Sequence, residues 1–197
     1  MEKWNEERFS ITPAFCIVSA ACLLLLPIEW LVGWGLAVGL HELAHLLIMR
    51  LCGVRILSVK LDVGGAMIRS DEMYLWQELL CALSGPLIGF IPVLLIRYIP
   101  FTGICALILS IFNLLPVYPL DGGRGLHCAL KMLLHNNLAD KLTMLVGRLT
   151  LITIVAAALI FALRYGVWLL TAAALSMLFL KFRGANPSCK EREVIVQ

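Results

Sequence analysis

The chain has 197 residues, 61% hydrophobic and only 15% charged, with a mean hydropathy of +0.92. Soluble domains carry roughly 25% charged residues, so the composition excludes an ordinary water-soluble core and points to lipid as the solvent. The net charge of +3 is modest; its distribution along the chain says more than its total, and no nucleic-acid partner is expected.

Residues 1–12 mix Glu2, Glu6 and Glu7 with Lys3 and Arg8. The apolar run from Pro13 leads into further apolar segments, so no cleaved signal peptide is expected. Ser19 to Cys22 reads Ser-Ala-Ala-Cys but lacks the aliphatic residue that a lipoprotein site carries three before the cysteine. A spanning helix needs about 20 apolar residues. Six segments come near that length: 13–29, 31–51, 75–97, 101–117, 143–163 and 167–183. The first two are separated only by Glu29 and Trp30, which suit an interfacial turn. Trp4, Trp30, Trp34, Trp76 and Trp168 mostly fall near span ends, as interfacial belts require. The seven cysteines form no CxxC pair and sit mostly in apolar runs, so neither a disulfide framework nor a cysteine zinc site is expected.

After the second span, Leu57, Val59, Leu61 and Val63 alternate with Ser58, Lys60 and Asp62, the period of a strand. Gly64-Gly65 permits a tight turn, and Ala66 to Arg69 can return as a second strand. The alternative is an irregular amphipathic loop. Residues 124–140 carry Leu126, Leu130, Leu133 and Leu134 at helical spacing, so this stretch is expected to lie along the interface. His127 and His135 read as residues of that interfacial stretch. The fold expected is an all-α membrane protein. It is a bundle of about six transmembrane helices with a small β-hairpin in the loop after the second helix. Residues 1–183 form the membrane domain and 184–197 a short tail.

With six spans, all of the 16 Lys and Arg except Arg97 and Arg164 fall on one side of the membrane or at the adjoining span ends. The positive-inside rule makes that side, with both termini, cytoplasmic. Five or seven spans would mix the two groups.

The chemistry is concentrated in His41-Glu42-Leu43-Ala44-His45, inside the second span. Residues four apart share a helix face, so His41 and His45 can bind one metal ion, most plausibly zinc. Glu42 is placed to act as general base on a metal-held water. Ionisable groups within a span cost roughly 2.5–3.5 kcal/mol when charged at its centre. Three of them within five residues call for a compensating partner, and a metal supplies one; a polar cluster for helix packing or proton relay is the alternative. Catalytic zinc usually takes three protein ligands. Asp121 is the strongest candidate for the third. It follows Pro116 and Pro119, which cannot continue a regular helix, and precedes Gly122-Gly123. The alternative for Asp121 is an N-cap of the next helix. Orientation supplies a separate check. Spans two and four run in the same direction; His45 lies about 9 Å from the cytoplasmic end of its span by helical rise, and Asp121 lies at that end of span four. A site built from them opens toward the cytoplasm.

His-Glu-Leu-Ala-His in a span, together with Asn113-Leu114-Leu115-Pro116-Val117-Tyr118-Pro119-Leu120-Asp121-Gly122-Gly123, resembles the site-2 protease family of intramembrane metalloproteases. The short N-terminus and span pattern look most like its stage IV sporulation protein FB branch. The specific motifs cover residues 31–125. The resemblance implies that His41, His45 and Asp121 bind zinc, that Glu42 activates water and that Asn113 helps position substrate. It implies a bacterial cell membrane location, a membrane-associated or membrane-spanning protein substrate, and membrane-protein regulators. Ser84-Gly85-Pro86 matches the family's Gly-Pro signature, where close helix approach is expected. The chain departs from the family at Leu87-Ile88-Gly89, where many members carry an asparagine. The sporulation branch usually ends in a nucleotide-binding CBS domain; neither that domain, with its ATP regulation, nor a PDZ domain is expected here.

Two other readings remain at this point, a metal transporter and a catalytically silent scaffold of the same fold. The reading favoured is a zinc protease that cuts near the cytoplasmic face. Its substrate must unwind there, and the Leu57–Val63 strand is expected to offer an unpaired edge to which the unwound segment adds.

Overall fold

A computed structural model describes residues 9–62, 65–166 and 194–196. Helix α1 (Pro13–Leu25) starts where Thr12 Oγ1 accepts the Phe15 amide at 3.3 Å and Pro13 takes the first helical position. It stops at Leu26, because a residue before proline is driven out of helical conformation. Pro27 then caps α2 (Ile28–Leu51). Glu29 and Trp30 therefore lie in the first turn of α2, not in a connecting turn as the sequence implied. Glu29 there meets the positive end of the helix dipole.

The alternation from residue 57 does mark a hairpin. Strand β2 (Ile56–Asp62) pairs antiparallel with β3 (Gly65–Ser70), with Val59 opposite Ile68; the turn at Val63 and Gly64 lies outside the described residues. Two further strands extend it. The segment β1 (Phe9–Ile11) runs parallel to β2, with Phe9 opposite Val59 and Ile11 opposite Leu61, and β4 (Val194–Val196) pairs antiparallel with β3. The order is β1-β2-β3-β4. The expected open edge on β2 is thus overturned: β1 covers it across Val59, Lys60 and Leu61. An exposed row of backbone N–H and C=O groups is a liability, and this chain closes it with its own N-terminal segment.

The remaining helices are α3 (Leu75–Ile88), α4 (Phe90–Leu94), α5 (Pro100–Asn113), α6 (Asp121–Leu133) and α7 (Asn136–Tyr165). Among the described residues, three stretches are long and apolar enough to cross a membrane: α2, α3 continued through α4, and α7; α1 and α5 are shorter apolar helices. The amphipathic stretch after Asp121 forms α6, and α7 begins at Asn136, about two turns earlier than expected. The expected sixth span, 167–183, lies outside the described residues.

Polarity in this bundle is inverted relative to a soluble fold. Leu24 and Leu94 are 86% and 84% exposed, whereas His45 and Asp121 are wholly buried. Apolar exposure on this scale has lipid as its natural solvent. Without a hydrophobic drive between helices in lipid, close packing depends on small residues. Ala37 of α2 meets Cys105 and Ala106 of α5 in one such contact. The hairpin sits on a second cluster of Met49, Ile68 and Cys81, flanked by Leu46, Ile48, Val54, Val59 and Met73. At the α2–α5 crossing a Cβ added to Gly33 would lie 2.9 Å from the Phe101 carbonyl carbon. Gly33→Leu should therefore push the helices apart and cost about 1–3 kcal/mol, measured as a lower unfolding midpoint in detergent; an unchanged midpoint would mean the crossing is looser than described.

Candidate metal centre

Helix α2 buries one face, carrying Gly33, Ala37, His41, Ala44, His45 and Met49. Its i, i+4 spacing brings the two imidazoles together edge to face, with Nε2 atoms 3.2 Å apart. Helix α3 orients His45 from the side. Its Nδ1 lies 2.8 Å from the Cys81 carbonyl and 3.3 Å from Ser84 Oγ, which itself donates to that carbonyl at 2.7 Å. A carbonyl only accepts, so His45 carries its proton on Nδ1, a tautomer assigned from these partners. The Nε2 lone pair is left free to bind a cation.

The third group arrives from an irregular segment. Helix α5 ends at Asn113, and residues 114–120 turn under Pro116 and Pro119 before α6 begins. A Cβ on Gly122 would run into the Leu114 carbonyl, and one on Gly123 would lie 2.6 Å from the Val117 carbonyl oxygen. The two glycines thus let the loop fold back over the start of α6 and fix Asp121 there. Asp121 is the first residue of α6, and Leu120 is the capping position, with no side-chain cap. The alternative role of Asp121 as a helix cap is therefore not realised. Its Oδ2 lies 3.1 Å from His41 Nε2 and 3.3 Å from His45 Nε2.

These three atoms form a nearly equilateral triangle. Two ligands held about 2.0–2.1 Å from zinc at a tetrahedral angle are separated by roughly 3.3–3.4 Å, close to the edges of the triangle. With the His45 proton on Nδ1, its Nε2 and Asp121 Oδ2 present lone pairs to one another across 3.3 Å, an arrangement that a cation between them, or a second proton on the ring, makes favourable. The donor set of two imidazoles and one carboxylate suits zinc.

Proximity of helix α3 completes the enclosure. A Cβ on Gly85 would collide with His45 Nε2 and lie 2.7 Å from His41 Cε1. The small residue expected for close approach is thus set directly against the converging edges of both imidazoles.

Other residues singled out by sequence occupy different places. Glu42 is half-buried beside His41, and Asn113 is buried as the last residue of α5. His127 of α6 pairs with Asp140 of α7 at 2.8 Å, with Lys131 3.6 Å from the same oxygen, and His135 caps the start of α7. Neither histidine joins the triangle, which is the only group of three candidate metal ligands among the described residues. Cys128 is buried on α6 and does not join the triangle; burial, with Glu78 adding to it, pushes its thiol up to about 12. Two elements of the site went unread in the sequence, the Cys81 carbonyl and Arg124. A carbonyl has no sequence signature, but a cation directly after Asp-Gly-Gly at a span end was a usable signal.

Gly85→Ala should lower zinc affinity at least about 10-fold, the scale of a disturbed ligand shell, when titrated against a chelator. Gly39→Ala on α2, where a Cβ meets nothing within 4 Å, should leave affinity unchanged. Equal affinity in both variants would remove the close approach as a determinant of the site.

Residues 92–157 match the family model for peptidase family M50. No curated protein sequence matches the chain. Among solved structures, the site-2 protease from Methanocaldococcus jannaschii superposes with a TM-score of 0.63 at 21% identity, covering 98% of each chain. The chain is thus similar in fold to a site-2 protease and, over residues 92–157, in sequence to peptidase family M50.

Proposed function

We propose that this protein is an intramembrane zinc metalloprotease that hydrolyses a peptide bond in a membrane-associated or membrane-spanning protein. The observation that carries the reading is the buried convergence of His41 Nε2, His45 Nε2 and Asp121 Oδ2. The M50 match supports it independently. It covers Asn113 and Asp121 but not the His-Glu-Leu-Ala-His segment, so the two halves of the motif rest on separate observations and meet in one site.

His41, His45 and Asp121 would hold the zinc. When bound, the ion polarises the scissile carbonyl and brings the pKa of a water molecule toward ~7. Glu42, adjacent to His41 and half-buried, accepts the proton of that water as general base. The Cys81 carbonyl keeps the His45 ring in its binding orientation throughout. Asn113, at the end of the helix that leads into the Asp121 loop, helps position the substrate. Burial of the site by α3 and α6 keeps bulk water from the reacting groups. The chain crosses the membrane six times with both termini in the cytoplasm, and the site opens to that face. The sequence pattern of a sporulation-type enzyme extends this reading to a bacterial cell membrane.

Glu42→Gln should retain zinc and fold but lose roughly 10²–10⁴-fold in cleavage of a labelled membrane-spanning peptide in detergent, because an amide cannot accept the proton. Asp121→Ala should lose zinc as well as cleavage. Wild-type turnover by Glu42→Gln would reject the mechanism; zinc flux through proteoliposomes without any cleavage would replace the protease by a transporter.

A further inference from the structure

We infer that Arg124 is a positioning residue that holds the Asp121 carboxylate in its metal-binding orientation, and that Glu78 holds Arg124 in turn. The inference rests on the metal site proposed above and names a residue for it outside the ligand set.

Arg124 is 2% exposed, one helical turn beyond Asp121 on α6. Its Nη1 lies 3.9 Å from Asp121 Oδ1, and its Nη2 lies 3.5 Å from Glu78 Oε1 on α3. Neither terminal nitrogen makes a hydrogen bond among the described residues, and neither does Asp121 Oδ1. The two oxygens of one carboxylate are therefore divided: Oδ2 faces the imidazoles and Oδ1 faces the guanidinium. A guanidinium is always charged and is costly to bury without partners. Here it lies between two carboxylates, and α3 and α6 supply one each.

Two effects on zinc oppose one another. A fixed cation near the site repels the ion, whereas a restrained carboxylate binds it better. Glu78 decides between them. It lies closer to Arg124 than Asp121 does and neutralises the guanidinium, so the repulsion is largely cancelled and the restraint on Oδ1 remains. Outer partners of metal ligands typically change affinity 10–100-fold.

The test uses the full chain in detergent, stripped of metal and titrated with zinc against a chromophoric chelator, with cobalt as a spectroscopic probe. Arg124→Met should weaken zinc binding about 10–100-fold and alter the visible bands of the cobalt-loaded protein. Arg124→Lys, which keeps the charge, should recover part of the affinity. The paired variant Arg124→Met/Glu78→Met removes both charges and supplies the readout should the single variant fold poorly. It should bind zinc as weakly as Arg124→Met. Wild-type affinity in the paired variant would overturn the inference, leaving Arg124 only as a counter-charge for Glu78. Equal or tighter binding by Arg124→Met would overturn it too. Wild-type protein that binds neither ion is a distinct result, because it removes the metal site itself.

Discussion

Everything in this molecule is arranged around an electrostatic constraint: three lone-pair donors face one another inside a bundle whose outer surface is apolar. His45 and Asp121 have no measurable exposure and His41 only 2%. In such surroundings converging imidazole nitrogens and a carboxylate oxygen are costly unless a proton or a cation lies between them. The helices around the site follow from that requirement. Helix α2 supplies two donors on one rigid face, α3 fixes one imidazole by its Cys81 carbonyl, and α6 brings the carboxylate.

The two sources of the candidate ligands obey different rules. An i, i+4 pair needs only a regular helix, since one turn places both rings on the same side. A third donor cannot come from the same face of that helix without crowding. It has to arrive from a distant segment, and its position has to be as exact as that of the first two. Pro116 and Pro119 end α5, and Gly122 and Gly123 admit the Leu114 and Val117 carbonyls against the first turn of α6. The irregular backbone is thereby packed on protein, as apolar surroundings demand.

Periodicity and chemistry made much of this legible before any coordinates. The grouping of His41, His45 and Asp121 was readable because ionisable residues in apolar sequence are expensive, and the prolines before Asp121 announced a break. The β2–β3 hairpin was readable because Leu57, Val59, Leu61 and Val63 alternate. Strands β1 and β4 were not, because three residues are too few to display a period; their pairing is decided by the neighbouring strand. The helix break falls at Leu26 and not at Glu29 and Trp30, because Pro27 imposes a conformational limit on the residue before it that charge and aromatic patterning do not reveal. Arg124 was read only as a cytoplasmic charge, because sequence alone does not reveal that Glu78 on α3 stands opposite it.

Cys81 links the sheet to the candidate metal centre. Its carbonyl accepts from His45 Nδ1, while its side chain is buried against Met49 of α2 and Ile68 of β3. Gln77, one turn earlier on α3, donates to the Cys52 carbonyl at 3.2 Å, tying the same helix to the end of α2. The rotation of α3 about its axis is therefore held at one point by the hairpin core and at another by the C-terminal end of α2. That rotation also sets where Gly85 meets the imidazoles, because Gly85 stands four residues beyond Cys81 on the same face. Ile68 of the sheet thus packs on the same residue, Cys81, whose carbonyl orients the His45 ring, so the small sheet is part of the framework around the candidate site.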